Sequence, residues 1–371
     1  MIYLDHAASS FPKAPGVIDA VGAYLSLPAG SPGRAGYGTT VEASRVIFAA
    51  RESVAALFGV RDSRRIIFTS GATESLNIVI NGLLRPGDVV VTTRMEHNSV
   101  VRPLVRLSRE RGVKVRVLTS DPAPEEFSGA RLAVVCHGSN VTGELAPVER
   151  ITDLAHRAGV LVLLDAAQTA GTLPLNLPEL GVDAMACSGH KGLLGPQGTG
   201  VLYLREGMQL PEPLKVGGTG SRSESELQPE FLPDRYESGT ANGPGIAGLG
   251  AAVEFLRRYG VERIADHIVS LGERFPEGES SIAAVRLFGP KAARDRLGTF
   301  SLVIPGRDNA RVALQLEQRY GIAVRAGLHC APWAHRAIGT FPQGTIRVSL
   351  GHSTTAAEVD TVIAAFREIA S

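Results

Sequence analysis

The feature that most constrains this chain is a rhythm that sets in near residue 65 and lasts to residue 204. Short apolar runs, at residues 65–69, 88–92, 113–118, 132–136, 160–164, 183–187 and 199–204, punctuate that span. Between several of them lie stretches with helical spacing, as at 75–84 and 147–158; a further helical stretch, 40–58, precedes the first run. Short apolar strands alternating with helices imply right-handed βαβ units, and so a mainly parallel sheet covered on both faces. The expected class is therefore α/β. In such sheets ligands bind at the carboxyl ends of the strands.

The special polar residues fall at those ends: Thr73, His97, Asn140, Asp165, Gln168, Ser188, His190 and Lys191. Five successive strand ends carrying a coherent polar set are hard to assign to packing. Lys191 is the most unusual of them. It follows the run Asp183-Ala184-Met185-Ala186-Cys187 and sits among Gly189, Gly192 and Gly195. An ammonium is costly to bury unpaired, and small neighbours let something bulky approach. That suits a lysine whose amine becomes neutral and forms a Schiff base. On this segment alone, a solvated lysine at a loop tip fits equally well.

The 371 residues suggest two domains, or a large one with a smaller one attached. A net charge of +1 gives no reason to expect nucleic acid or an acidic membrane surface as a partner. The basic run 102–116 is interleaved with leucine and valine and reads as a solvated helix face. Cys136, Cys187 and Cys330 are too few and scattered for a disulfide framework. No secretory signal is visible at Met1-Ile2-Tyr3-Leu4-Asp5-His6, and no apolar stretch is long enough to cross a membrane. A cytoplasmic location is expected.

Residues 28–38 and the long polar connection 215–245 are rich in glycine and proline and read as loops. Loops as long as the second usually carry function or make an interface. Gly243-Pro244-Gly245-Ile246-Ala247-Gly248 formally matches G-x-G-x-x-G, but no strand precedes it. It is expected to be a glycine-rich start to a helix over 246–259, not a dinucleotide site. From about residue 260 helices alternate with short strands near 300–304 and 346–350, with a helix over 311–320. The expected division is a large cofactor-binding domain at 15–250 and a small α+β domain formed by 1–14 with 251–371.

One ligand draws these groups together. Gly71-Ala72-Thr73 opens a helix, where free N–H groups and the dipole favour a phosphate, and Ser188 and His190 can add donors. Asp165 offers a carboxylate to a ring nitrogen, as the electron sink of pyridoxal phosphate requires. Gln168 and Asn140 can hydrogen-bond a ring hydroxyl, His97 can stack, and Lys191 can hold the aldehyde carbon.

In order along the chain, Gly71-Ala72-Thr73-Glu74, Glu96-His97-Asn98, Ser139-Asn140-Val141-Thr142-Gly143, Asp165-Ala166-Ala167-Gln168 and Ser188-Gly189-His190-Lys191 resemble the class V aminotransferases of fold type I. The resemblance is closest to the NifS/SufS-like cysteine desulfurases and selenocysteine lyases and covers nearly the whole chain. It implies the pyridoxal phosphate-dependent transferase fold and a homodimer. Thr240, in Glu237-Ser238-Gly239-Thr240, resembles the family's donor to the partner subunit's phosphate. Ala72 stands where many relatives carry threonine, and Tyr37 lies near a position where they often carry histidine.

The segment Arg325-Ala326-Gly327-Leu328-His329-Cys330-Ala331-Pro332 resembles the short catalytic-cysteine loop of SufS-like desulfurases. Cys330, with His329 and Arg325 near, is expected to be a reactive thiol. Cys136 and Cys187 lie in apolar runs and read as inert, and Cys330 with His335 makes no metal site. Arg347, at the start of a buried strand, needs an anion: a substrate carboxylate, which the resemblance favours with Asn140 helping, or a structural ion pair. The resemblance implies that Lys191 moves protons, with His97 placed to stack and to relay a proton, while Cys330 takes sulfur from L-cysteine as a persulfide and alanine leaves. It further implies possible passage of that sulfur to an acceptor protein and iron–sulfur cluster assembly. Selenocysteine as substrate, another class V amino-acid reaction, or an inactive scaffold for sulfur-transfer partners are the alternatives.

Overall fold

The computed structural model describes residues 1–28, 38–280 and 285–371. Most of the expected loop at 28–38, Tyr37 included, lies outside the described residues. A seven-stranded sheet runs in the order Ile66–Thr69, Gly200–Leu204, Ala184–Ser188, Leu161–Asp165, Ala130–Cys136, Val89–Thr92, Lys114–Val117. Only Gly200–Leu204 is antiparallel to its neighbours. The other paired strands are parallel, as the alternation of strands and helices predicts.

Both faces are buried, which is why the strands read as unbroken apolar runs. Val91, Ala133, Val135, Val162, Leu164, Met185, Cys187, Val201 and Tyr203 enter one core. Their immediate neighbours Val90, Leu132, Val134, Leu163, Ala184, Ala186, Leu202 and Leu204 enter the other. Helices Gly38–Leu57, Val148–Arg157 and Gly243–Tyr259 cover the first face, and Ala72–Leu83 and Asn98–Arg111 the second. The edge strand Lys114–Val117 is the exposed one, and its charged Lys114 and Arg116 discourage further pairing. Arg102, Arg106, Arg109 and Arg111 lie on the exposed face of their helix, as expected.

The helix Val17–Ser26 has no counterpart in the pattern reading, for only Val17 of its ten residues is buried. It packs on Gly243–Tyr259, and this contact explains the glycine-rich start of that helix. A Cβ on Gly243 would stand 2.1 Å from Tyr24 Oη, and one on Gly248 2.8 Å from Val21 Cγ2. The glycines allow two helices to approach; they do not cradle a dinucleotide.

Beyond this layer, Arg325–Gly327, Thr345–Ser349, Thr299–Val303 and Arg286–Phe288 form an antiparallel sheet in that order. Its core holds Phe300, Leu302, Ile346, Val348, Val362 and Phe366. The N-terminal strand Ile2–Tyr3 pairs in parallel with Ile322–Ala323, and Leu4 enters the same core. We place the joint between the layers within helix Val261–Ser280. Val261, Ile264 and Ile268 pack on the large core, whereas Leu271 and Phe275 pack on the small one.

Candidate active site

A cavity of about 220 Å³ opens where the carboxyl ends of the large sheet meet the small one. Ala72, Thr73, His97, Asn140, Asp165, Gln168, Ser188, His190, Lys191, Arg325, Cys330 and Arg347 all line it. Thr240 does not. It is exposed and lines a separate hollow with Ser70, Glu74, Lys215 and Glu237.

One end of the cavity is built for an anion. Strand Gly200–Leu204 passes so close beneath Gly71 that a Cβ on Gly200 would lie 2.4 Å from the Gly71 Cα. Helix Ala72–Leu83 starts there without a side-chain cap from Gly71, so its N-terminus faces the cavity through Ala72 and Thr73. The Ala72 N–H donates to Ser188 Oγ at 3.1 Å, and Thr73 Oγ1 pairs with Ser99 Oγ at 2.7 Å. His190 Nδ1 is buried without a protein partner.

Deeper in, Asp165 ends its strand with Oδ1 accepting from the Ala167 N–H at 2.9 Å. Burial pushes its carboxyl up, against the Ala167 hydrogen bond and the Lys191 charge. Burial likewise pushes the Lys191 ammonium down, with Asp165 opposing and Arg347 assisting. The neutral amine is thereby favoured. Burial, then Lys191, Arg102, Arg325 and Arg347, hold His97 at about 4, so its imidazole is neutral near pH 7. Gln168 Nε2 donates to the Ala7 carbonyl at 3.0 Å, leaving its amide oxygen for a ligand.

The small sheet supplies the outer wall. His329 and Cys330 both hold left-handed backbone, at φ 48° and 59°. Their carbonyls are anchored: Asn140 Nδ2 donates to His329 O at 2.6 Å and the Asn98 N–H to Cys330 O at 2.8 Å. Asn140 therefore holds the cysteine loop with its amide nitrogen, a use the sequence did not disclose. Cys330 is the exposed thiol; Cys136 and Cys187 are buried, and burial pushes both of those thiols up. Arg325 Nη2 lies 4.0 Å from Cys330 Sγ. Burial, and then Arg347, hold His329 at about 2, so it is no cation beside the thiol; Arg325 is.

Arg347 is 1% exposed and makes the structural ion pair that is one of its two expected readings. Its Nη2 pairs with Asp5 Oδ1 at 2.6 Å and its Nη1 donates to Asn140 O at 3.1 Å. Its Nε is buried and unpartnered. Three residues lay outside the pattern reading: Ser99 and Cys136, which line the cavity, and Asp5, which reaches it only through Arg347. Asp5 and Ser99 are identified only by their partners in space. Cys136 ends its strand in the wall, with its Sγ 3.3 Å from Gly138 O.

The aminotransferase class-V family model matches residues 2–362. The chain belongs to that family. A probable cysteine desulfurase of Methanothermobacter thermautotrophicus is 37% identical over 383 residues, covering 100% of this chain and 94% of that protein. A cysteine desulfurase of Pectobacterium atrosepticum is 33% identical over 389 residues, covering 100% of this chain and 93% of that protein. Two mycobacterial relatives are longer, the chain spanning 55% and 62% of them. Among solved structures, the apo cysteine desulfurase of Thermococcus onnurineus superposes with a TM-score of 0.93 at 32% identity, covering 100% of this chain and 94% of that one. The S-sulfonic acid form of an Escherichia coli cysteine desulfurase gives 0.88 at 30%, with 99% and 94% covered. The fold is thus that of the type I pyridoxal phosphate enzymes, and the family depends on that cofactor.

The residues present fit it. An anion cradle at a helix N-terminus, one buried carboxylate, a lysine held toward neutrality and a neutral imidazole share one cavity. Among the described residues no cluster of His, Cys, Asp or Glu is suited to a metal, and no helix is long and apolar enough to cross a membrane.

Proposed function

We propose that this chain is a pyridoxal phosphate-dependent cysteine desulfurase, which converts L-cysteine to L-alanine and keeps the sulfur as a persulfide on Cys330. One observation carries the reading: the exposed cysteine stands in the wall of the cavity that holds Lys191. An aminotransferase has no need of a thiol there.

In this reading Gly71, Ala72, Thr73, Ser188 and His190 hold the cofactor phosphate. Asp165 would hold the ring nitrogen, His97 the ring face and the Gln168 amide oxygen the ring hydroxyl. The bound cofactor supplies an electron sink for charge developing at the substrate Cα. Lys191 Nζ, kept toward its neutral form by burial, moves the proton at that carbon. Arg347 Nε, which lacks a protein partner, binds the substrate carboxylate with Arg325. Cys330 Sγ attacks the substrate sulfur. An S–S bond forms and the Cβ–S bond breaks; its electron pair stays with the carbon, which gains a proton as alanine leaves.

The protein acts as a homodimer in this reading, with Thr240 serving the partner's phosphate. Exposed Ile18, Leu25, Val216 and Leu227 support such an interface. The persulfide is presented at the surface to a sulfur-acceptor protein. A reducing cytoplasm suits three free cysteines. The test is incubation with L-cysteine and a thiol reductant. Equal alanine and sulfide support the reading; a keto acid as the sole carbon product would overturn it in favour of a transaminase.

A further inference from the structure

Two side chains, Thr73 and Ser99, join the phosphate cradle to the imidazole of His97. Thr73 Oγ1 lies 2.7 Å from Ser99 Oγ, and Ser99 Oγ lies 2.9 Å from His97 Nδ1. The Ser99 N–H donates to the same Nδ1 at 3.1 Å. A backbone N–H cannot accept, so Nδ1 must present its lone pair, and a neutral His97 carries its proton on Nε2. His97 is itself the cap of helix Asn98–Arg111, which fixes the ring against the first turn.

We propose that Ser99 is a positioning residue: its amide and hydroxyl together fix His97 as an Nε2–H donor to the cavity, and its contact with Thr73 links that polarity to the phosphate cradle. The inference rests on the reading of this cavity as the cofactor site. The hydroxyl chain has one consistent direction, with Thr73 donating to Ser99 and Ser99 donating to Nδ1. Protonating Nδ1 would set a ring N–H against the Ser99 N–H, donor against donor. Burial opposes protonation of the ring most, and the cations Arg102, Arg325 and Arg347 add to it, as does Lys191 whenever it is charged. His97 therefore gives a hydrogen bond to whatever lies in the cavity and does not serve there as a base. An anion in the cradle draws the Thr73 hydroxyl toward itself, and Ser99 loses that donor. The imidazole thus senses cradle occupancy through Ser99.

The test uses the full-length chain labelled with ¹⁵N-histidine, freed of cofactor and then reloaded. His97 is assigned by the signal missing in His97→Gln. The wild type is expected to show a pyridine-type Nδ1 and a pyrrole-type Nε2. Ser99→Ala removes the hydroxyl but keeps the amide. The His97 protonation constant should then rise about fivefold, a pKa increase of roughly 0.7 that corresponds to one ordinary hydrogen bond. Ser99→Thr should restore the wild-type value. Inorganic phosphate added to the cofactor-free chain should move the Nδ1 signal further in the wild type than in Ser99→Ala. A proton on Nδ1 in the wild type, or an unchanged or lowered His97 pKa in Ser99→Ala, overturns the proposal. Equal phosphate responses in the two proteins overturn the link through Thr73. The visible band on adding pyridoxal phosphate is read separately. Its absence in the wild type would sink the cofactor reading while leaving the imidazole result intact.

Discussion

A left-handed backbone costs a non-glycine residue about 1 to 2 kcal/mol, and the loop at His329 and Cys330 carries two such residues in succession. It persists because Asn140 and the Asn98 amide hold both carbonyls, so the thiol is presented at a fixed place in the cavity wall. Cys330→Ala should therefore lose nearly all activity on cysteine yet keep the cofactor band. Some activity on selenocysteine should remain, because a C–Se bond is weaker than C–S and selenolate leaves more readily. Alanine release from each substrate checks this, and desulfuration of cysteine at the wild-type rate would dismiss Cys330 as the nucleophile. Arg347→Lys retains charge but loses the planar fork shared among Asp5, Asn140 and the cavity. A charged hydrogen bond is worth about 1.5–3 kcal/mol, so KM for cysteine should rise roughly 10- to 100-fold with the cofactor band unchanged. The strand-end residues were legible because each follows an apolar run that announces its strand. Asp5 was not, since its partner Arg347 lies 342 residues away in sequence.

At the scale of elements, the apolar runs revealed the large sheet because burial on both faces leaves little room for polar residues. The helix Val17–Ser26 buries one side chain, so it left no periodic trace. The connection 215–245 was legible only as a long loop; what ties it down are contacts with distant elements. Arg51, buried in helix Gly38–Leu57, grips Glu237 with Nη1–Oε1 at 2.6 Å and Nη2–Oε2 at 2.8 Å. Glu237 Oε1 also accepts from the Phe68 N–H at 2.7 Å, fixing the loop to strand Ile66–Thr69. Glu237→Ala would leave the Arg51 guanidinium buried without its carboxylate. Removing one partner of a buried pair costs about 3 kcal/mol or more. The urea midpoint should fall accordingly, and the segment leading to Thr240 should become the first site of limited proteolysis. A midpoint equal to the wild type would show that Arg51 finds another anion.

The whole molecule answers to pH through its histidines, seven of which are held below their ordinary value, chiefly by burial. The unfolded chain takes up protons near pH 6.5 while the folded one waits for lower pH, about 4 or below for six of the seven, so stability is lost as pH falls below 6.5. Glu96, raised by burial to about 8, and Asp165 act with the opposite sign, losing stability as pH rises, but they are two against seven. The urea midpoint should therefore drop more between pH 7 and 5 than between pH 7 and 8. The proposed dimer poses the larger question, because Thr240 is exposed and lies outside the cavity of its own chain. If it donates to the partner's phosphate, Thr240→Val should weaken cofactor binding about tenfold or more in the homodimer, the worth of one charged hydrogen bond. A mixed dimer distinguishes the two routes. Pair a Thr240→Val subunit, which retains Lys191, with a Lys191→Ala subunit, which retains Thr240. The one complete site then receives Thr240 across the interface and should bind cofactor with wild-type affinity, read from the visible band during titration. Should that site stay as weak as the Thr240→Val homodimer, Thr240 serves its own subunit, and the hollow it shares with Ser70 and Glu74 becomes its place of action.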